Sequence, residues 1–219
     1  MTRYEEIARN IETLRAKLGG VELCAVTKTM PVEDINAAIA AGVTEIGENR
    51  VQELMGKLDS IAPGARISLI GRLQTNKVKY IIGKVGLIQS LDRDELAAEI
   101  SKRSVNAGLV TETLIEVNIA GEEQKGGIPA DELIDFAGRV SGLPGIHVKG
   151  LMTVMPIAED AETLRPYFRR MRRMFEELGR AGMDMEILSM GMSGDCLVAA
   201  EEGSTMVRVG RGIFGSRNY

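Results

Sequence analysis

Residues 21–49, VELCAVTKTMPVEDINAAIAAGVTEIGEN, decide how the rest of the chain reads. Leu23 to Val26 form an unbroken apolar run, the pattern of a strand buried on both faces rather than one. The run ends at Thr27-Lys28. Pro31 stands where a first-turn proline belongs, Ile35, Ala38 and Ile39 recur at helical spacing, and Gly42 closes the helix. VTEIGEN then supplies a second short strand and turn. Strand, helix and strand in so short a span make a parallel βα unit.

The same alternation continues outward. Ile7, Ile11, Leu14 and Leu18 predict a helix over 4–18. Further strands are expected at 65–71, 86–91, 113–119, 147–154, 185–191 and 205–210. Helices are expected between them at 50–58, 75–82, 93–106, 129–140 and 195–202. A long helix carries Leu164, Phe168, Met171, Phe175 and Leu178 on one face, with Thr163 as its expected cap ahead of Pro166. Eight apolar strands alternating with helices predict an α/β fold, a single (β/α)8 TIM-type barrel with an extra N-terminal helix. A doubly wound open sheet is the alternative. No linker interrupts the chain, so residues 1–219 are expected to form one domain.

Composition narrows the function. Net charge is −4, which disfavours bulk attraction to nucleic acid or an anionic membrane. Aromatics make up only 4% and Trp is absent, whereas Gly numbers 25, which suits tight strand–helix turns better than base stacking. The N-terminus is charged and amphipathic, unlike a signal peptide, and no run has the length of a membrane span. Cys24 and Cys196 have neither metal nor disulfide spacing. A cytoplasmic protein is expected. The single histidine, His147, sits in the strand-like run GIHVKGLMTV and reads as a structural residue. Zinc sites and Ser or Cys triads want more than that, so chemistry falls to lysine, carboxylates or a cofactor.

In a barrel, strand C-termini carry function. They hold Lys28, Asn49, Arg72, Asn118, Met152-Thr153, then GMSGD (191–195) and RVGRGIFG (208–215). The last two loops, on consecutive strands, pair small residues and the Ser193 hydroxyl with helix starts, a cradle for one phosphate group. Lys28, flanked by apolar strand residues, is placed for desolvation, which favours the neutral amine and imine chemistry. Spacing alone leaves open that it reaches solvent or pairs with Glu48. An imine-forming lysine facing a phosphate cradle suits pyridoxal 5'-phosphate (PLP), whose ring nitrogen needs an Asp or Arg partner. Arg208, beside the cradle, qualifies.

These stretches carry a resemblance. AVTKTMP, EIGENRVQEL, IGRLQTNKVK, EVNIAGEEQKGGI, GLMTVMP and the run from Leu188 to Arg217 resemble, in order, the pyridoxal phosphate homeostasis protein family. That family is similar to the barrel domain of alanine racemase without its β-rich second domain. The resemblance implies that Lys28 carries PLP as an aldimine, and that Ser193 with the backbone around Gly210 and Arg211 holds the phosphate. It also implies that Arg208 faces the pyridine nitrogen, and that Asn49, Met152 and Thr153 lie near the cofactor. Two positions depart from the pattern. Relatives often read HFIG where this chain has Ser68-Leu69-Ile70-Gly71, and many carry threonine at the position of Arg211.

An arginine at the pyridine nitrogen leaves the ring a weak electron sink. Racemisation further needs an acid/base group on each face. Tyr4, Tyr80, Tyr167 and Tyr219 all fall at termini or on helices. A non-catalytic protein that stores, buffers or delivers PLP is therefore expected, with a low-activity amino-acid racemase as the alternative. A sugar-phosphate enzyme using a lysine imine is a third reading. Expected partners are PLP and PLP-dependent apo-enzymes, and the chain is expected to be a monomer. The run RPYFRRMRRMF, with five arginines between Arg165 and Arg173, reads as a solvated helix face.

Overall fold

The computed structural model describes residues 1–215; Arg217 and Tyr219 lie outside them. Elements run α1 (Arg3–Leu18), β1 (Glu22–Val26), α2 (Val32–Ala40), β2 (Glu45–Glu48), α3 (Val51–Lys57), β3 (Arg66–Leu69), α4 (Val78–Ile81), β4 (Leu87–Leu91) and α5 (Asp94–Asn106). They continue as β5 (Thr111–Asn118), β6 (Ile128–Pro129), α6 (Leu133–Ser141), β7 (Ile146–Met152), α7 (Arg165–Arg180), β8 (Ile187–Ser189), α8 (Cys196–Glu201), β9 (Met206–Val209) and α9 (Arg211–Phe214). The strand order is β4-β3-β2-β1-β9-β8-β7-β5, every pair parallel, and β4 also pairs with β5. That last pairing closes the sheet into an eight-stranded barrel and excludes the open sheet.

Local chemistry explains the elements. Thr2 Oγ1 accepts the Glu5 N–H at 3.2 Å while Glu5 Oε2 accepts the Thr2 N–H at 2.7 Å, a reciprocal cap that starts α1. Gly19, at φ 61°, ends it. Ile7, Ile11 and Leu18 of α1 pack with Ile35 and Ala38 of α2 and Ile213 of α9 over the outer face of β1 and β9. The larger outer core gathers Ile81, Ile100, Phe136, Phe168 and Met171 around β3 to β8.

Two expectations need correction. Thr163 does not cap the long helix: a short 3-10 turn, Ala161–Leu164, precedes α7, and Asp160 caps that turn by accepting the Glu162 N–H at 2.9 Å. Pro166 then falls in the first turn of α7, where its missing N–H costs nothing. The second is β6, a two-residue strand beside Val117 and Asn118, at the point where the sequence predicts the start of the helix over 129–140. It is too short for any periodicity to register.

The barrel interior is polar for a packed core. Glu45, Ser68, Gln89, Ser189 and Arg208 are all buried there. Leu87, Leu114 and Met152 form only a small apolar cluster with Ile187. No helix among the described residues is long and apolar enough to cross a membrane.

Candidate functional site

A cavity of about 740 Å³ opens at the C-terminal ends of the strands. Lys28, Ser193, Arg208, Gly210 and Arg211 all line it, so five of the expected site residues converge. Asn49 and Met152 are not among its walls: Met152 is fully buried in the apolar cluster, and Asn49 holds a buried Oδ1 without a hydrogen-bond partner at the end of β2.

Lys28 lies just past β1 in a tight turn. The next residue, Thr29, takes φ 64°, a left-handed conformation rare for a β-branched side chain. Local bonds hold it there. Thr29 N–H donates to Glu53 Oε1 at 2.5 Å, and Lys57 Nζ donates to Thr27 O at 3.0 Å. Lys57 also meets Glu48 Oε1 at 2.6 Å and Glu53 Oε1 at 3.1 Å. Glu48 further accepts the Thr27 hydroxyl at 2.5 Å. Burial pushes the Glu48 carboxyl above its usual range, against the pull of Lys57 and Thr27. Glu48, one of the alternatives left open for Lys28, bonds to Lys57 and Thr27.

On the opposite rim, the loops after β8 and β9 meet where Gly212 N–H donates to Ser193 Oγ at 3.4 Å. Glycine is required at Gly191: φ is 96°, and a Cβ there would stand 2.6 Å from that of Ala199. Asp195 stabilises the first loop by accepting the Met192 N–H at 2.5 Å. Burial raises the Asp195 carboxyl. These loops present a hydroxyl, backbone N–H groups and the exposed Arg211, a donor set suited to a phosphate.

Arg208 reaches up from β9, fully buried. Its Nη2 donates to Thr153 O at 2.6 Å and its Nη1 to Ser189 O at 2.9 Å. Across the strand ends, burial first and the nearby Asp92 charge second push Glu116 up to about 7. His147 sits instead at the start of β7, with Nε2 2.9 Å from Asp184.

The sequence matches the family "Alanine racemase, N-terminal domain" over residues 3–218. The pyridoxal phosphate homeostasis protein of Aquifex aeolicus is 44% identical over the whole of both chains. The chain belongs to the pyridoxal phosphate homeostasis protein family. Among solved structures, PipY of Synechococcus elongatus with PLP bound superposes with a TM-score of 0.88 at 31% identity, covering 95% of this chain and 100% of PipY. Alanine racemase of Clostridium difficile shares the fold alone, with TM-score 0.84 at 16% identity, and this chain covers 58% of it. Of the two departures from the family pattern, Arg211 lies on the cavity rim, whereas Ser68 is buried in the barrel below it.

Sequence reasoning missed three contributors. Met155 to Glu159, an irregular segment after β7, walls the cavity, as does Asp195. Pro156 was the available hint. Lys57 was missed too, although its i,i+4 spacing from Glu53 on α3 was visible.

Proposed function

We propose that this protein binds pyridoxal 5'-phosphate and serves intracellular PLP homeostasis by storing, buffering or delivering it. The observation that carries the proposal is the convergence of Lys28, the Ser193–Gly212 cradle and Arg208 on one cavity. The residues fit the cofactor: an amine for the aldehyde, hydroxyl and N–H donors for the phosphate, and a guanidinium for the ring nitrogen. When bound, PLP supplies a carbonyl that amines attack and a ring that withdraws electrons.

The side chains then divide the work. Lys28 is the attachment point. Ser193, Gly210 and Arg211 grip the phosphate, with Arg211 adding charge where many relatives have a hydroxyl. Arg208 stays protonated and so keeps the ring nitrogen from gaining a proton, since two cations in contact are costly. Asn49 offers a buried acceptor at the end of β2, and Met152 acts from the buried apolar cluster rather than from the cavity wall.

The same features favour carrying over catalysis. Among the described residues no tyrosine lines the cavity, and a racemase needs acid/base groups on both faces of its substrate. The chain acts as one domain and one monomer in the cytoplasm, with PLP-dependent apo-enzymes as recipients. The test is a titration with PLP and with pyridoxal, followed by incubation of the loaded protein with L-amino acids. The proposal expects PLP to bind far more tightly than pyridoxal and no D-amino acid to accumulate. Equal affinities would remove the cradle, and Lys28-dependent turnover would make the protein a racemase.

A further inference from the structure

A file of side-chain hydrogen bonds begins at Arg208 and crosses the barrel. Arg208 Nη1 donates to Ser189 Oγ at 2.6 Å, Ser189 Oγ to Gln89 Oε1 at 2.8 Å, and Gln89 Nε2 to Ser68 Oγ at 3.0 Å. Ser68 Oγ then donates to Glu45 Oε1, whose second oxygen accepts from Arg66 Nε at 2.6 Å. The five residues from Arg208 to Glu45 come from β9, β8, β4, β3 and β2, and all are buried.

The file can run in one direction only. A guanidinium has no acceptor, and a carboxylate has no donor. Each serine hydroxyl owns one hydrogen and must pass it onward. Turning the Gln89 amide over would leave the Ser189 hydrogen facing a donor, and would leave Ser68 with one hydrogen for two acceptors. Both ends therefore dictate the amide orientation, and the amide fixes the Ser189 hydroxyl, which Arg208 Nη1 uses as an acceptor beside the Ser189 carbonyl.

Arg208 needs such help. No carboxylate lies within ion-pair distance of it among the described residues, although a buried cation is normally paired. The charged or titratable groups that act on it are Cys24 on β1, Glu116 on β5 and Asp195 before α8. Glu45 reaches it through the file. Ser68, one of the two departures from the family pattern, is the residue that hands the file to Glu45.

We infer that Ser189, Gln89, Ser68 and Glu45 are positioning residues that fix the Arg208 guanidinium where it meets the cofactor. The inference rests on the PLP-binding proposal for its consequence, but not for the file itself. Two readouts test it: the PLP dissociation constant, and the NMR signals of the Arg208 Nη protons in ligand-free protein, assigned by their loss in Arg208→Gln. Variants that cut the file are Gln89→Met and Ser68→Val. Ser68→Thr keeps the hydroxyl with the same added bulk, and Leu87→Met alters the neighbouring apolar cluster only.

We expect Gln89→Met and Ser68→Val each to weaken PLP binding roughly tenfold and to speed exchange of the Arg208 Nη protons. The double variant loses no more than either single, because a file cut once is cut. Ser68→Thr and Leu87→Met stay within about twofold of wild type. Unchanged Nη signals and affinity in folded Gln89→Met and Ser68→Val would overturn the inference. So would equal losses in Ser68→Thr and Ser68→Val, which would make bulk the cause. Failure of wild-type protein to take up PLP would sink the proposed function instead, while the ligand-free Nη signals would still decide the file.

Discussion

Replacing Lys57 with methionine removes the cation under the Lys28 turn while keeping most of its volume. Its ammonium lies 2.6 Å from Glu48 Oε1, and the two side chains are 10% and 0% exposed. Lys57 also holds Thr27 O and Glu53. Methionine leaves Glu48 buried with only the Thr27 hydroxyl, and breaking one side of a buried pair costs about 3–5 kcal/mol. For a chain of this size each kcal/mol lowers Tm by roughly 2–4 °C, so Lys57→Met should melt roughly 6–20 °C lower at pH 7. Burial already raises Glu48, and losing the cation raises it further. A carboxyl raised in the folded state binds its proton more tightly folded than unfolded. The deficit is therefore full above the raised folded value and shrinks as pH falls toward the ordinary carboxylate range. Thermal unfolding followed by circular dichroism measures this. Glu48→Gln combined with Lys57→Met should recover most of the loss, because no buried charge remains. A single variant that melts within about 2 °C of wild type, or a double variant no better than the single, would refute this reasoning.

Glu116, pushed up to about 7, contributes stability that is full below its unfolded value near 4.3, declines through that window and is gone above about 7. Glu116→Gln should flatten melting temperature against pH across this range, and an unchanged slope would contradict it. Ser193→Ala should weaken PLP binding roughly ten- to hundredfold, the worth of one hydrogen bond to a charged group, while melting like wild type without ligand. Gly150→Ala would set a Cβ 1.8 Å from Ile187 O, at φ 153°, and should cost about 3 kcal/mol or more by forcing β7 from β8. Denaturant unfolding measures that loss.

The barrel was legible because its strands are buried on both faces and write unbroken apolar runs, as Leu23 to Val26 do. Strand ends located Lys28, Ser193 and Arg208, since parallel topology puts all C-termini at one mouth. What escaped depends on contacts between distant segments. Lys57 reaches Thr27 O from another element, and a 3-10 turn with no periodic signature, capped by Asp160, precedes the long helix where Thr163 is the expected cap. The Arg208 file escaped for the same reason: Gln89 and Ser189 are 100 residues apart, and each looks like an ordinary polar interruption of a strand. In the arginine-rich run, Arg165 and Arg169 pair with Glu202 just after α8, a contact the run alone does not reveal.

The most direct test is to saturate the protein with PLP, reduce it with borohydride, digest it and locate the label by mass spectrometry. The account predicts a single pyridoxyl group on Lys28 and none in Lys28→Ala protein. A label on another lysine, or no label at all, would contradict it.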